Sequence, residues 1–149
     1  MSWLRRRIAE VQVAFMLLTR LPAGRLEGVA PELSTAKWAF PLAGLVVGGS
    51  LAGVYIAMNS LGLPAELSAV LALGVGMMMT GGLHEDGLAD CADGFGGGQT
   101  KDQKLAIMKD SQVGSYGVLA LILVIAARIM ALAALPATFQ SLILLISLA

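Results

Sequence analysis

Three long stretches with almost no charged side chains constrain this chain more than any other feature. Residues 40–58 and 67–83 carry no charge, and residues 116–135 carry only Arg128. A helix needs about 20 mainly apolar residues, with a working range of about 17 to 25, to cross a bilayer. The sequence therefore predicts an all-α protein, a polytopic transmembrane helix bundle that forms a single membrane domain over residues 1–149.

The composition agrees with a lipid environment. Only 13% of the residues are charged and 57% are hydrophobic, whereas soluble domains usually contain about 25% charged residues. The formal net charge is zero, so nucleic acid is not an expected partner, because domains that bind it are usually basic. The single cysteine, Cys91, excludes an internal disulfide and lacks the spacing of a zinc site. The lipid bilayer is the expected partner.

The two ends of the chain differ from the three predicted spans. A fourth apolar stretch begins at Ser141 and reaches the last residue, Ala149, which is about half the length that a span needs. We therefore expect a fragment or a truncated product. Near the other end, polar residues such as Glu10 interrupt the apolar stretch and no cleavage pattern follows, which excludes a signal peptide. Residues 8–18 are predicted to form a short helix at the membrane surface.

Basic residues are distributed unevenly between the two sides of the predicted bundle. Residues 59–66 and 136–140, which connect the spans on one side, contain no Lys or Arg. Cytoplasmic loops are enriched in these residues, so we expect a multi-pass protein of the cell inner (cytoplasmic) membrane whose motif segment, residues 81–117, faces the cytoplasm. The nine basic residues on that side are Arg5, Arg6, Arg7, Arg20, Arg25, Lys37, Lys101, Lys104 and Lys109.

Glycines four residues apart occur in the first predicted span, at Gly44 and Gly48 and again at Gly49 and Gly53. This spacing lets helix backbones approach each other closely. We expect it to serve packing within one bundle rather than dimerisation, and a homo-oligomer is the alternative.

Acidic residues are concentrated after the second span. Asp86, Asp90 and Asp93 are spaced i, i+4, i+7, which places them within an arc of about 60° on a helix. Like charges stacked on a bare helix repel each other, and a divalent cation would relieve that repulsion. With Glu85 they form a candidate Mg²⁺ site, because this cation prefers carboxylate, water and phosphate oxygens. The alternative is a solvated acidic face.

A glycine-rich run and a second short helix follow. Residues 94–98 read GFGGG and lack the Walker lysine and serine, so a flexible linker that ends the helix is favoured over a phosphate-binding loop. Thr100 and Gln103 fit a capping box, which predicts an amphipathic helix through Lys109.

Lys109 and Asp110 end that predicted helix. Lys109, like Lys104, is a candidate for neutralising phosphate. Asp110 is a candidate for completing the metal site or orienting a nucleophile. The alternative for Lys109 and Asp110 is an ordinary surface ion pair.

Two further side chains have chemical potential. His84 is the only histidine and is a candidate general base, because imidazole changes charge near neutral pH. It lies about 160° around a helix from Asp86, so the two are not expected to bind the same metal. Arg128 lies near the middle of the third span, where a charge is costly. It should face the bundle interior and pair with a carboxylate or a bound anion.

Four motifs, in order, resemble those of a known family. The run GGLHEDGLAD at residues 81–90, continued by Asp93 and Gly94, resembles the signature of the cobalamin synthase (adenosylcobinamide-GDP ribazoletransferase) family. The other three are LTRLP at residues 18–22, FPLAG at residues 40–44 and LAIMKDSQVGSYG at residues 105–117.

The resemblance implies an enzyme of the last step of cobalamin biosynthesis. Its substrates would be adenosylcobinamide-GDP and α-ribazole (or its 5′-phosphate), its products GMP and adenosylcobalamin (or its phosphate), and its cofactor Mg²⁺. Asp86 and Asp90 would be catalytic, with Asp110 or His84 as base and Lys104, Lys109 and Arg128 on the phosphates.

Two alternatives stay open at this point. The run of small residues and aspartates is also similar to that of CDP-alcohol phosphotransferases, although the arginine of that signature is missing. An ion-coupled transporter that uses the carboxylates with Arg128 is the other, and its site would be expected near the midplane of the membrane.

Overall fold

The computed structural model describes residues 3–134, and within them every regular element is helical. The predicted fourth stretch, from Ser141, and residue 135 of the third span lie outside the described residues. The elements are, in chain order, α1 (Trp3–Leu18), α2 (Leu33–Ala36), a 3₁₀ turn (Lys37–Ala39), α3 (Phe40–Ser60), α4 (Ala65–Thr80), α5 (Leu83–Gly97), α6 (Lys101–Ile107) and α7 (Ser115–Ala134).

Within residues 3–134, two segments are long and apolar enough to cross a membrane, Leu33–Ser60 and Ser115–Ala134. They contain the first predicted span and residues 116–134 of the third. The second prediction, residues 67–83, was too long at its end, because α4 stops at Thr80 and α5 continues at an angle of 89° to it. By length and composition the bent pair counts as one further span at most.

The hairpin of α3 and α4 contains the core. Val47, Leu51 and Tyr55 of α3 pack against Ala69, Ala72 and Leu73 of α4 and against Leu132 of α7. A Cβ on Gly76 would lie 2.7 Å from Cδ1 of Leu51, so glycine is what allows the two helices to approach so closely. Gly44 and Gly48 are buried within the bundle, as the predicted packing requires. Gly49 and Gly53 are exposed.

The first helix begins earlier than predicted, at Trp3 instead of residue 8, because its arginines form ion pairs along the helix. Arg6 and Arg7 contact the carboxylate of Glu10 at 3.2 and 2.7 Å. The Nε1 of Trp38, in the 3₁₀ turn, donates a 2.7 Å hydrogen bond to the same carboxylate. This bond, together with the two arginines, lowers the pKa of Glu10 below its ordinary value. The cluster fastens α1 to the start of α3.

The glycine-rich run is helical, which corrects the prediction of a flexible linker over residues 94–98. Helix α5 continues to Gly97, and Gly98 is its C-cap. The reason is packing against other elements: a Cβ on Gly94 would lie 2.6 Å from Cε of Met108, and a Cβ on Gly98 would lie 2.7 Å from Cγ of Lys104. The capping box of Thr100 and Gln103 is confirmed, but α6 ends at Ile107 and not at Lys109.

Candidate active site

The chain breaks sharply between α4 and α5 at two glycines. Gly81 and Gly82 have φ angles of 69° and 73°, a left-handed conformation that side chains with a Cβ rarely adopt. Gly81 ends α4 and Gly82 begins α5. The break turns α5 away from α4 and brings its first residues to the end of the bundle where α3 begins.

Arg20 covers this break, although sequence reasoning did not include it among the site residues. Its backbone N–H donates a 2.7 Å hydrogen bond to the carbonyl of Met79. A Cβ on Gly81 would collide with the Arg20 guanidinium, so that group lies directly against the turn. Among the described carboxylates, none is within ion-pair distance of it. Only its place in the LTRLP motif hinted at a role.

A cleft of about 540 Å³ opens beside the break, and we call it the acidic cleft. Its polar lining is Thr19, Arg20, Thr80, Glu85 and Asp86. The Asp86 side chain is exposed, and within residues 3–134 it forms neither an ion pair nor a hydrogen bond. The cleft therefore offers one carboxylate and one guanidinium that have no ion-pair partner in the described part of the chain.

Asp90 follows Asp86 by one helical turn on the same face of α5. It is half-buried, and no described side chain or backbone group forms an ion pair or hydrogen bond with its carboxylate. The two aspartates are thus a pair of free carboxylates at helical spacing, and the predicted helix that carries them is confirmed.

Asp93, the third aspartate of the face, has a different environment. Its Oδ2 accepts a 2.7 Å hydrogen bond from the backbone N–H of Gly114, and its Oδ1 accepts one of 2.8 Å from Gly117. The residue is only 7% exposed. A carboxylate at the N-terminus of a helix is favoured both by the unpaired N–H groups there and by the helix dipole. Asp93 therefore fastens α5 to the start of α7.

Glu85 and Arg128 form an ion pair of 3.2 Å between α5 and α7. The prediction that Arg128 faces the bundle and pairs with a carboxylate is confirmed. The second oxygen of Glu85, Oε2, is buried and has no hydrogen-bond partner among the described residues.

His84 and Glu85 also line a second space, a cavity of about 410 Å³ between α3, α4 and the end of α1. We call it the apolar cavity, because side chains such as Phe40, Val47 and Leu73 form most of its wall. His84 lines the apolar cavity and Asp86 the acidic cleft, so the predicted separation of these two side chains around α5 is confirmed.

The remaining predicted residues lie elsewhere. Lys104 lies over the ring of Phe95 at 4.8 Å, Lys109 is exposed, and Asp110 accepts a hydrogen bond of 3.2 Å from the backbone of Gln112. None of the three lines the acidic cleft or the apolar cavity. In the part of the chain that the structure describes, no three His, Cys, Asp or Glu side chains converge as a metal site, so the predicted set of four carboxylates is not assembled.

The fold and site define a class: a polytopic helical membrane protein with a carboxylate-bearing cleft at one end of its bundle. Residues 10–149 match the family model described as cobalamin-5-phosphate synthase (CobS). The chain belongs to this family.

Curated relatives carry a consistent name. The chain is 49% identical over 132 residues to an adenosylcobinamide-GDP ribazoletransferase of Bradyrhizobium diazoefficiens, covering 88% of this chain and 51% of that protein. It is 49% identical over 138 residues to one of Xanthobacter autotrophicus, covering 89% of this chain and 52% of that protein. A Shewanella baltica protein of the same name is 48% identical over 123 residues, covering 82% and 46%.

The chain spans about half the length of these relatives. No solved structure matches it. Membership of this family favours the cobalamin synthase interpretation over the CDP-alcohol phosphotransferase and transporter alternatives.

Proposed function

We propose that the protein transfers the adenosylcobinamide phosphate group from adenosylcobinamide-GDP to α-ribazole or its 5′-phosphate. A secondary ribose hydroxyl of the acceptor forms the new P–O bond at the cobinamide-side phosphorus, the pyrophosphate bond breaks, and GMP leaves. The 5′-oxygen cannot be the nucleophile in α-ribazole 5′-phosphate, because it is already esterified. The observation that carries the proposal is the carboxylate of Asp86, which lines the acidic cleft together with Arg20. Asp90 follows one turn later on α5, and the relatives of the chain are named ribazoletransferases.

We propose Mg²⁺ as the cofactor, held by Asp86 and Asp90. These two carboxylates have no described partner. In contrast, Asp93 accepts hydrogen bonds from two backbone N–H groups, and Glu85 forms an ion pair with Arg128. Mg²⁺ is usually bound by one or two carboxylates together with water and substrate phosphate, so two free aspartates fit it. When bound, the ion would offset the charge of the pyrophosphate and of the departing GMP.

Arg20 is the residue we assign to the substrate phosphates. A guanidinium presents donors in a fork that matches phosphate oxygens, and that of Arg20 lies at the acidic cleft without a described carboxylate partner. Lys104 and Lys109 line neither space, which is why the structure favours Arg20 over them.

His84 is the better candidate for the base that removes the proton of the attacking ribose hydroxyl. It lines the apolar cavity next to Glu85, which lines both spaces. The Asp110 carboxylate already accepts a hydrogen bond from the backbone N–H of Gln112. A base must lie within hydrogen-bond reach of the proton that it removes. Of the two, only His84 lines the apolar cavity, which shares Glu85 with the acidic cleft.

We propose that the acidic cleft opens to the cytoplasm from the inner membrane. The positive-inside rule supports this orientation, because the basic residues outside the predicted spans share one side. Cys91 is the single cysteine and is exposed on α5, so it reports on the side directly. A membrane-impermeant maleimide should label it in inverted vesicles and not in intact spheroplasts, and the reverse result would contradict the orientation.

The reaction is tested by GMP release from adenosylcobinamide-GDP and α-ribazole in lipid, with and without Mg²⁺. Two proteins are compared: the chain itself, and a chimera that joins it to the C-terminal half of the Bradyrhizobium relative. Asp86→Asn is the test variant. Asp102→Asn is the matched control, because Asp102 is an exposed residue of the first turn of α6 and lines neither space.

The proposal is supported if GMP release depends on Mg²⁺, is lost in Asp86→Asn and is kept in Asp102→Asn. This holds whether the chain itself or only the chimera releases GMP. Release from neither, under conditions in which the intact relative is active, overturns it.

A further inference from the structure

The apolar cavity has the dimensions and chemistry of a small-molecule site. Its volume of about 410 Å³ lies within the range of about 300 to 1,000 Å³ that is typical of ligand pockets. Side chains of α3 and α4 form apolar walls, and polar groups from α5 and α7, namely His84, Glu85 and Arg128, converge at one end. Apolar walls with a few convergent polar groups are how proteins fix the orientation of a small ligand.

The polar end of this cavity has an unsatisfied acceptor. Glu85 Oε1 accepts a hydrogen bond from Arg128, while Oε2 is buried and has no partner among residues 3–134. A buried acceptor without a donor is unfavourable. A ligand that enters with a hydroxyl group next to an apolar body would supply that donor. A hydrocarbon chain would fill the space and leave the oxygen unpaired.

The cavity also adjoins the place where we expect the phosphates. Thr19, Thr80 and Glu85 line both the apolar cavity and the acidic cleft. A ligand can therefore occupy the cavity with its apolar part and reach the cleft with a polar group. Of the two proposed substrates, α-ribazole has this form, since it joins a flat aromatic benzimidazole to a ribose. The corrinoid is a far bulkier molecule with many amide side chains.

We infer that the apolar cavity binds the benzimidazole of the acceptor nucleoside, with the ribose at Glu85 and its attacking secondary hydroxyl directed into the acidic cleft. This inference rests on the proposed function, since it names the subsite for one of its substrates. It places the nucleophile beside His84 and opposite the phosphates at Arg20 and Asp86.

Neighbouring residues of α3 provide a matched test. Val47 lines the cavity and is 3% exposed, whereas Val46 is 43% exposed on the outer face of the same helix. Val47→Phe should fill part of the space that the base would occupy, and Val46→Phe adds the same ring to the outer surface. Binding of α-ribazole is measured by its fluorescence, without the second substrate, in the chain and in the chimera in nanodiscs.

We expect Val47→Phe to weaken α-ribazole binding by about tenfold or more, since even one methylene in a hydrophobic pocket changes affinity by about 10- to 200-fold. Val46→Phe should bind like the wild type. Glu85→Gln, which hardly changes the volume, should weaken binding of α-ribazole but not of free 5,6-dimethylbenzimidazole, because only the nucleoside has the ribose. This second variant keeps the inference testable if Val47→Phe does not fold.

The outcomes separate the inference from the proposed function. Equal binding by Val47→Phe and Val46→Phe, or no binding of α-ribazole to either wild-type protein, overturns the inference; a copurifying lipid in the cavity would then identify its occupant. GMP release with an unchanged KM for α-ribazole in Val47→Phe overturns the inference alone. Selective loss of binding in Val47→Phe without any GMP release supports the binding site and contradicts the transfer reaction.

Discussion

The two halves of α5 carry aspartates on the same helical face but hold them in different ways. In the first half, Asp86 and Asp90 have no described partner, and Asp86 borders a cleft with Arg20. In the second half, Asp93 is buried and both its oxygens accept backbone hydrogen bonds from the start of α7. The same spacing thus contains one aspartate that fastens α5 to α7 and two aspartates whose carboxylates have no partner among the described residues.

The largest effect should follow from a change in the free half. Asp90→Asn should lower the rate of GMP release at least about a hundredfold, comparable with losing one strong electrostatic contact to a transition state. The free energy of unfolding should change by no more than about 0.5 kcal/mol, because the side chain has no partner to lose among residues 3–134. The two readouts are the release assay and unfolding in SDS–detergent micelles, followed by circular dichroism.

A loss of stability in Asp90→Asn as large as that of an Asp93 variant would break the comparison, since both halves would then be structural. Asp102→Asn, on the exposed face of α6, is the control that should change neither quantity.

The second effect concerns Asp93, in the second half of α5. Asp93→Ala should lower the free energy of unfolding by about 2 to 4 kcal/mol, because the N–H groups of Gly114 and Gly117 both lose a charged acceptor and an unpaired buried group costs about 1 to 3 kcal/mol. Asp93→Asn should have a smaller effect, since its amide keeps one acceptor oxygen. The measurement is again unfolding in SDS–detergent micelles.

If Asp93→Ala retained full stability while losing Mg²⁺-dependent activity, Asp93 would belong to the metal site after all. That result would support the metal site of Asp86, Asp90 and Asp93, with Glu85, that the sequence predicts.

The extent to which the sequence predicted these features depends on how local their causes are. The spans follow from the absence of charge, and the capping box of Thr100 is a contact between residues three apart. The Arg128 pairing was predicted because an isolated charge in a span is costly. In contrast, the role of Asp93 depends on N–H groups 21 and 24 residues further along the chain, which spacing within one helix does not reveal.

The glycines show the same limit. Gly81 and Gly82 continue an apolar stretch, so the sequence predicts that they belong to the second span. In the structure both residues have the left-handed backbone conformation that ends the helix. The helical conformation of Gly94 depends on Met108 of the next segment. Arg20 was missed for the same reason, since its position over Gly81 is a tertiary contact between distant residues.

A third prediction sharpens the account of the anchor. A Cβ on Gly117 would collide with Oδ2 of Asp93 and lie 3.1 Å from the Cβ of Ala89. Gly117→Ala should therefore push α7 away from α5 and lower stability by about 1 to 3 kcal/mol, the usual cost of overpacking. Gly74→Ala is the matched control, because nothing lies within 4 Å of a Cβ there and alanine favours a helix by up to about 1 kcal/mol over glycine. A gain in both variants would show that α5 and α7 are not closely packed.

The smallest effect concerns the carboxylate of Glu10. Side chains hold this carboxylate, whereas backbone N–H groups hold the carboxylate of Asp93. The hydrogen bond from Trp38, followed by the contacts with Arg7 and Arg6, lowers the pKa of Glu10 in the folded protein below the ordinary value of 4.5. The charged form therefore stabilises the fold above that value, and the contribution is lost as the pH falls through the folded pKa. Glu10→Gln should thus reduce stability at neutral pH and approach the wild type in acid. We expect the thermal unfolding curves of the two proteins to converge as the pH falls below 4.5 and through the lowered pKa of Glu10. A constant difference at every pH would show that the ionised form of Glu10 does not hold α1 in place.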